Sequence, residues 1–403
     1  MKHGLNSSYI QRMNVKLVFN ILRKGQASTR IELAKMTGLT KSTISNIVNS
    51  LINIKLLYEY PMASNGVGRR SVGLKIHYDR FHVIHLRITS KEYFIGRFNL
   101  QGEQYDYFAE NYSSFSVASK EVMSRIKDQI RKMIDKETGA PILGIGISLP
   151  GPYNSGIYLG LIGELQNWDD INIAKEIEEE FNLPVYAEND ANIGALNEWW
   201  LDRSITDSDT LVYITTAGGT GSGVIANGDL LRGSQGVAGE IGHMTIDING
   251  AKCKCGNRGC LELYTSTTSL LEQAHEISAS RKDTILNNNS SKADFFAAVN
   301  AGDPLANELY MQALHYLSIG VINIIYLYNP SIIIFGDEMV TYGAGEKLLS
   351  VVKQYVSKHV SAELFNNIIM KLSTSKIDPA LLGAGILVIN NISDILFDKH
   401  ILA

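Results

Sequence analysis

The sequence predicts an α/β protein with a small N-terminal winged helix-turn-helix domain and a larger body, and two observations predict this division. The first eighty residues carry thirteen basic and three acidic side chains, a balance of +10, whereas the remaining residues carry 24 basic and 38 acidic ones, a balance of −14. From about residue 81, strand-like apolar runs alternate with helical patterns to the C-terminus, which is typical of an α/β fold. We therefore place the N-terminal domain at residues 1–78 and the body at 79–403.

The charge asymmetry bears on the partner of the N-terminal domain. A basic segment attached to an acidic body indicates that this segment alone contacts a polyanion such as DNA, although a soluble basic domain without such a partner would show the same balance. No membrane partner is expected, because the chain has no run of about eighteen apolar residues and its first residues lack the apolar core of a signal peptide. We expect a cytoplasmic protein.

Apolar spacing and capping residues predict the first two helices of the N-terminal domain. Residues 14–24 form a helix that Gly25 ends, and Thr29 followed by Glu32 fits the capping box of a second helix. In the first helix the apolar face consists of Val15, Val18, Phe19 and Leu22. In the second, the side chains expected to be buried are Ile31, Leu33 and Ala34.

A third helix follows the turn at Gly38, with Thr40 as its capping residue. Its inner face consists of Ile44, Ile47, Val48 and Leu51. Its outer face carries small polar side chains and one lysine, namely Lys41, Ser42, Thr43, Ser45 and Asn46. This is the helix-turn-helix pattern, in which small polar side chains approach base edges and a lysine suits a phosphate. Any three-helix bundle with a polar outer face would show a similar pattern.

Two strand-like segments, residues 56–60 and 74–78, flank a polar loop and predict a β-hairpin, or wing. The tip of the hairpin carries Gly66, Gly68, Arg69 and Arg70. Glycine lets a backbone approach DNA closely, and paired arginines suit the narrow minor groove of A·T-rich sequence. A basic hairpin that contacts only phosphates is the alternative interpretation.

The three cysteines of the chain, Cys253, Cys255 and Cys260, lie within eight residues, and His243 precedes them. The spacing H-x9-C-x-C-x4-C supplies one imidazole and three thiolates, which is enough for a closed tetrahedral zinc site. Such a site leaves no position for water, so we expect the zinc to be structural. The alternative, three buried free thiols, is disfavoured because cysteines rarely cluster without a metal or a redox role.

Five motifs follow one another in the body: LPGP (149–152), NW (167–168), ENDAN (188–192), GEIGH (239–243) and CKCGNRGCLE (253–262). Together they resemble the ROK family, whose members are repressors, open reading frames and sugar kinases. The N-terminal winged helix and the GRR sequence of the wing resemble the repressor branch, which includes xylose and N-acetylglucosamine repressors. The resemblance covers almost the whole chain.

The resemblance implies an actin-like, RNase H-like body of two lobes that bind a sugar between them. Lobe one would comprise about residues 79–195 and a C-terminal helix at about 380–403, and lobe two about residues 196–379. The residues that match sugar-binding positions of the family are Gly151, Asn189, Asp190, Glu240, His243 and Glu262. Carboxylates and an amide suit vicinal hydroxyls because they form paired hydrogen bonds with them. For Asp190 and Glu240, a surface or capping role is the alternative.

Three departures from the kinase pattern lie on the nucleotide side of the implied cleft. Kinases of the family open with Asp-x-Gly-Gly-Thr, whereas residues 86–90 read Leu-Arg-Ile-Thr-Ser. The second phosphate loop, T-x-G-T-G in the family, reads Thr-Thr-Ala-Gly-Gly at 215–219, and Gly336-Asp337 replaces a Gly-Gly pair. Phosphoryl transfer needs a carboxylate that holds magnesium and backbone amides around the phosphates. We therefore expect no catalytic residues and no enzyme activity.

The expected function is that of a sugar-responsive transcriptional repressor of carbohydrate metabolism that binds operator DNA as a homodimer or homotetramer. Closure of the cleft on a sugar would change the spacing of two recognition helices. Two alternatives are an active sugar kinase with an appended DNA-binding domain and a regulator that responds to zinc itself. Pentoses, hexoses and phosphosugars are all compatible with the motif residues. A sugar that releases the protein from DNA and one that enhances DNA binding are both compatible with this function.

Overall fold

Three helices and an antiparallel hairpin form the N-terminal domain, which is the architecture of a winged helix. The elements are α1 (Ser7–Arg23), α2 (Arg30–Thr37), α3 (Lys41–Asn53), β1 (Leu57–Pro61) and β2 (Val72–Ile76). The two strands pair from Leu57 opposite Ile76 to Pro61 opposite Val72. The computed structural model describes residues 7–62, 72–112, 119–136, 139–151, 153–154, 157–158, 168, 171–375 and 379–402.

Capping and burial in this domain largely follow the sequence pattern. Thr29 and Glu32 form the expected capping box of α2, the side chain of Thr40 caps α3, and the predicted apolar faces of α1 and α3 are buried. The expectation that Ile31 is buried is wrong, because the residue is 72% exposed. Ile31 and Leu33 are two residues apart and therefore lie on different sides of α2, and only Leu33 reaches the core.

The body begins with a mixed five-stranded sheet, called here the first sheet, whose strand order is β5-β4-β3-β6-β9. In chain order this part contains a 3-10 turn at Tyr78–Arg80, β3 (His82–Ile88), β4 (Glu92–Asn99), β5 (Gln104–Asn111), α4 (Ser119–Asp135), β6 (Ile142–Leu149), β7 (Tyr153–Asn154), β8 (Ile157–Tyr158), α5 (Ile173–Phe181), β9 (Val185–Asn189) and α6 (Asp190–Leu201). Strand β6 is parallel to both β3 and β9, so the carboxyl ends of all three strands meet at one edge.

A second five-stranded sheet has the order β12-β11-β10-β13-β14. The remaining elements are β10 (Leu211–Thr215), β11 (Gly221–Ala226), β12 (Asp229–Leu230), a 3-10 turn at Ile241–His243, α7 (Glu262–Thr265), α8 (Thr267–Ser278), α9 (Lys292–Ala301), α10 (Pro304–Tyr328), β13 (Ile332–Phe335), α11 (Glu338–Thr341), α12 (Gly345–His359), α13 (Ala362–Asn366), β14 (Ile369–Leu372), α14 (Pro379–Asn390) and α15 (Ile392–Asp398).

The expectation of one C-terminal helix at about 380–403 is wrong, because α14 and α15 are separate helices that meet at an angle of 50°. At the junction the Asn391 side chain donates a hydrogen bond from Nδ2 to the Leu387 carbonyl oxygen over 2.7 Å. In a continuous helix the Asn391 backbone amide would donate to the Leu387 carbonyl oxygen. The Asn391 side chain forms this hydrogen bond instead, which explains the break.

Among the described residues, helix α10 and the bent pair of helices α14 and α15 are long and apolar enough to cross a membrane. More than half of the apolar stretch of α10 is buried inside the protein, where the helix packs against α8, α9 and α12. This burial is what the core helix of a globular domain shows.

The N-terminal domain shares an apolar core with the body. One cluster of buried side chains runs from α1 and α3 into α6, α14 and α15, while separate clusters lie around the first and the second sheet. Ion pairs flank the shared core: Arg12 Nη2 lies 2.6 Å from Asp398, and Lys24 Nζ lies 2.8 Å from Asp207. The N-terminal domain is therefore packed against the body.

Candidate ligand and metal sites

A cavity of about 710 Å³ lies between the two sheets and is lined by residues from both. This volume is in the range of small-molecule sites, which is roughly 300–1,000 Å³. The first sheet contributes the ends of β6 and β9, and the second contributes the loop after β10 and the segment around the 3-10 turn. All six residues that the sequence marks as sugar-binding candidates line the cavity: Gly151, Asn189, Asp190, Glu240, His243 and Glu262.

The Asn189 amide positions the wall of the cavity that belongs to the first sheet. Its Nδ2 donates to the Gly151 carbonyl oxygen over 2.8 Å, and its Oδ1 accepts from the backbone amides of Ala191 and Asn192. Asn189 thus caps α6, which begins at Asp190, and holds the loop after β6 against the first turn of this helix. The second Nδ2 hydrogen is the part of this amide that is available to a ligand.

Carboxyl groups dominate the other wall of the cavity. Burial, together with the charges of Asp190 and Glu262, raises the pKa of Glu240 to about 7. Near neutral pH the Glu240 carboxyl therefore exists in both forms and can donate as well as accept a hydrogen bond. The Glu262 carboxylate accepts from the Thr220 backbone amide over 3.1 Å, and Lys254 Nζ lies 4.0 Å from it. Such an arrangement suits a ligand rich in hydroxyl groups.

An ion pair that no sequence motif predicted joins the two sheets beside this cavity. Arg232, which follows β12, donates from Nε to the nearly buried Glu188 carboxylate over 2.6 Å. The other oxygen of Glu188 accepts from the Asn189 backbone amide over 3.0 Å and from Asn192 Nδ2 over 3.1 Å. The pair therefore ties the segment that leads to Glu240 to the segment that carries Asn189.

Side chains of the protein itself satisfy one another at the part of the cavity that contains Thr215 and Asp337, where the sequence departs from the kinase pattern. Thr215 Oγ1 donates to the Asp337 carboxylate over 2.5 Å. Glu338 accepts from the Thr267 hydroxyl and from Lys292 Nζ, which is 2.8 Å away. Asp337 also has φ +68° and ψ −149°, a backbone conformation that glycine enters far more readily than other residues. Two carboxylates in this region are unfavourable for a bound polyphosphate.

His243, Cys253, Cys255 and Cys260 form a compact cluster whose ligand atoms all lie within 4.8 Å of one another. Cys253 Sγ is 3.8 Å from His243 Nδ1, and Cys255 Sγ is 3.7 Å from Cys260 Sγ. A tetrahedral zinc ion with Zn–S bonds of about 2.3 Å separates its ligand atoms by roughly 3.5–3.8 Å. The donor set and its spacing therefore fit a closed zinc site, and bound zinc would hold His243 in the cavity wall.

The chain path around this cluster depends on Gly259. This residue has φ +59°, and a Cβ atom there would lie 1.7 Å from the Asp247 carbonyl oxygen. Its amide donates to the Ala251 carbonyl oxygen over 2.9 Å, and the Cys253 amide donates to the Asn257 carbonyl oxygen over 2.8 Å. These bonds fold the cysteine segment onto itself and bring it back to His243.

The predicted DNA-contacting face of α3 is open to solvent. Lys41, Ser42 and Asn46 are exposed, and Thr43 and Ser45 are partly exposed. The Thr40 hydroxyl lies 2.9 Å from the hydroxyls of both Ser42 and Thr43, so local hydrogen bonds already orient these groups. Arg69 and Arg70 lie outside the described residues.

The fold and the cleft define a class of protein, namely a winged helix joined to an actin-like body with its ligand cavity between two sheets. Residues 101–391 match the model of the ROK family, and the chain belongs to this family.

Three known proteins illustrate the similarity. The chain is 33% identical to the xylose repressor of Bacillus spizizenii over 97% of its own length and 98% of that protein. It is 32% identical to the glucokinase of Halalkalibacterium halodurans, over 66% of this chain and 83% of that enzyme. The structure of a ROK family transcriptional regulator, a homolog of the Escherichia coli MLC protein, superposes with a TM-score of 0.82 and 26% identity, covering 97% of this chain and 98% of the other.

The backbone strain at Asp337 leads to a first prediction. Asp337→Gly and Asp337→Ala both lose the hydrogen bond from Thr215, but only glycine also relieves the positive φ. We expect the glycine variant to be more stable than the alanine variant by about 1–2 kcal/mol, as measured by urea denaturation of the full chain. An alanine variant of equal or greater stability would show that the Asp337 backbone is not strained.

A second prediction concerns the metal. After gel filtration, elemental analysis of the native chain should find about one zinc ion per chain, and Cys260→Ser should lose most of it because a tetrahedral site needs its fourth ligand. Asn249→Ala, a change at an exposed residue of the preceding turn, serves as the control and should keep the ion. A native chain without zinc, or a Cys260→Ser chain with the full amount, would refute the assignment.

Proposed function

We propose that this protein is a sugar-responsive transcriptional repressor whose N-terminal domain binds operator DNA and whose cavity binds the sugar that controls this binding. One observation carries the proposal: a winged helix and a carboxylate-lined cleft occur in a single chain, which aligns over 97% of its length with a xylose repressor. The glucokinase relative spans only 66% of the chain.

The proposed DNA contacts lie on α3 and on the tip of the hairpin. The α3 residues are Lys41, Ser42, Thr43, Ser45 and Asn46, and the hairpin residues are Arg69 and Arg70. The exposure of the α3 face supports this assignment. We divide the chain into a DNA-binding domain at residues 1–78 and a sugar-sensing body at 79–403, and we expect a cytoplasmic homodimer or homotetramer that binds two half-sites.

The proposed sugar contacts are the carboxylates of Asp190, Glu240 and Glu262, together with His243, the Asn189 amide and the loop at Gly151. Their position around one cavity supports this role. Xylose is the first sugar to test, because the relative with 33% identity is a repressor named for it. Zinc bound by His243, Cys253, Cys255 and Cys260 would have a structural role, since four protein ligands leave no position for a substrate.

We further propose that the protein has no kinase activity. The presence of Asp337 and Glu338 in the cavity lining supports this, because two carboxylates are unfavourable beside the phosphates of a nucleotide.

The sugar assignment predicts that Asp190→Ala weakens the response to sugar. Operator DNA is first selected from random sequences with the full chain, and its release is then measured by fluorescence anisotropy with a panel of sugars. For xylose, Asp190→Ala should raise the concentration needed for half-release by at least about tenfold, because hydrogen bonds to a charged group contribute roughly 1.5–3 kcal/mol. Asp229→Ala, at an exposed carboxylate on β12, should respond like the native chain.

Normal release of the Asp190→Ala variant would refute the sugar site. Failure of every sugar in the panel to affect the native chain would refute the proposed function as a whole.

The absence of kinase activity predicts no sugar-dependent ADP formation when the chain is incubated with Mg²⁺, ATP and the same sugars in a coupled assay. The glucokinase of Halalkalibacterium halodurans, assayed with glucose, serves as the positive control. Turnover by the native chain with any sugar would show that the protein is an active kinase with a DNA-binding domain.

A further inference from the structure

Helix α6 reaches from the ligand cavity to the N-terminal domain. Asn189 caps it and Asp190 begins it at the cavity, while Trp199 and Trp200 lie in its last turn. Its twelve residues span about 18 Å. All side chains from Ala191 to Trp200 are buried, and the helix packs against α14, β10 and β11. Because it is enclosed on these sides, α6 is expected to move as a rigid unit.

The far end of α6 is held by Arg23, the last residue of α1. Arg23 Nη1 donates to the Trp200 carbonyl oxygen over 2.9 Å, and the guanidinium carbon lies 3.4 Å from the centroid of the Trp200 ring. The Lys24 ammonium lies 4.6 Å from the centroid of the Trp199 ring. A cation suits this position, because the carbonyl groups in the last turn of a helix have no partners within the helix and carry partial negative charge. We call these four residues the α1–α6 joint.

The α1–α6 joint is not fully satisfied in this structure. Arg23 is 5% exposed, yet Nε and Nη2 have no hydrogen-bond partner, and neither does Trp199 Nε1. Both polar atoms of the neighbouring Asn197 side chain also lack a partner. Ten buried side-chain nitrogen and oxygen atoms among the described residues lack a hydrogen-bond partner, and five of them belong to Arg23, Asn197 and Trp199. Burial also lowers the pKa of Arg23, to about 10.

Unsatisfied groups change the cost of rearranging the joint. A buried donor without a partner is unfavourable, so a second arrangement that gives these atoms partners recovers part of what the first one loses. Gly383 lets α14 approach α6 closely, because a Cβ atom there would lie 2.4 Å from the Ile193 carbonyl oxygen. Ligand control of the joint requires a second packing whose free energy is similar to that of the first.

We propose that α6 transmits occupancy of the cavity to the DNA-binding domain, and that Arg23 is the positioning residue that couples α1 to the Trp199–Trp200 end of this helix. The inference rests on the proposed function, since it needs a ligand that contacts Asp190. Such a ligand favours one arrangement of the α1–α6 joint to the extent that it binds that arrangement more tightly.

A second contact between the N-terminal domain and the body provides the matched control. Arg12, on the same helix α1, forms ion pairs with Asp394 and Asp398, and these two carboxylates belong to α15 rather than to α6. Arg12→Met and Arg23→Met each remove one guanidinium from α1, but only Arg23→Met removes the hydrogen bond to the last turn of α6.

The first experiment compares these variants in the full chain. Isothermal titration gives the Kd for xylose, and fluorescence anisotropy gives the operator Kd with and without xylose. We expect xylose to weaken operator binding by the native chain by about 5–150-fold. Arg23→Met should bind xylose with a nearly native Kd, but the fold change in operator Kd that xylose causes should fall towards one. Arg12→Met should show the native fold change. Arg23→Lys, which retains a charged donor, should recover part of it.

Each outcome decides between separate claims. A native chain that does not respond to xylose overturns the proposed function in its xylose form. If the native chain responds to xylose and Arg23→Met responds equally, the present inference alone is overturned. It is also overturned if Arg12→Met loses as much of the response as Arg23→Met does.

A second experiment does not depend on the folding of an Arg23 variant. The chain has three tryptophans, and Trp168→Phe leaves Trp199 and Trp200 as the only ones. Because these two lie at the far end of α6, we expect xylose to change the tryptophan emission of Trp168→Phe, and we expect no change when Asp190→Ala is added. An emission that is unaffected by saturating xylose in Trp168→Phe would overturn the inference.

Discussion

Helix α6 is enclosed by α14 and by strands β10 and β11, and its two ends lie in functionally different places. Its first turn forms part of the ligand cavity, with Asn189 as the cap and Asp190 as the first residue. Its last turn receives the Arg23 guanidinium from α1. One helix therefore contacts both the ligand cavity and the N-terminal domain.

The cavity itself is divided by charge. On one side Asp190, Glu240 and Glu262 line a wall in which burial raises the pKa of Glu240 to about 7. On the other side Asp337 and Glu338 accept hydrogen bonds from the chain's own hydroxyl and ammonium groups. The first arrangement retains donors and acceptors for a polyhydroxyl ligand, and the second disfavours a polyphosphate. This difference is the physical basis for our proposal of a binding role without phosphoryl transfer.

Local sequence signals predicted the elements of the N-terminal domain, and the resemblance to the ROK family predicted residues that line the cavity. The capping box of Thr29 and Glu32, the inner face of α3 and the close spacing of the three cysteines depend on residues near one another in the chain, and the structure contains all three features. The break between α14 and α15 was missed because it depends on one side-chain hydrogen bond, from Asn391 to Leu387. The prediction that Ile31 is buried was wrong because Ile31 lies on a different side of α2 from the buried Leu33.

Contacts between distant segments could not be predicted. Glu188 and Arg232 pair across 44 residues, and Arg23 meets Trp200 across 177. In the sequence, Arg23 resembles an ordinary surface cation at the end of a helix, and Trp199 and Trp200 resemble core residues. Only the packing of α1 on α6 brings them together, so the connection between the cavity and the DNA-binding domain becomes visible only in three dimensions.

Hydrogen–deuterium exchange of the full chain, compared with and without saturating xylose, shows whether a ligand in the cavity affects α1. We expect altered exchange at residues 189–192 in the cavity and also at residues 19–24 at the end of α1, because α6 connects the two. Altered exchange confined to the cavity, with the end of α1 unchanged, would contradict this expectation.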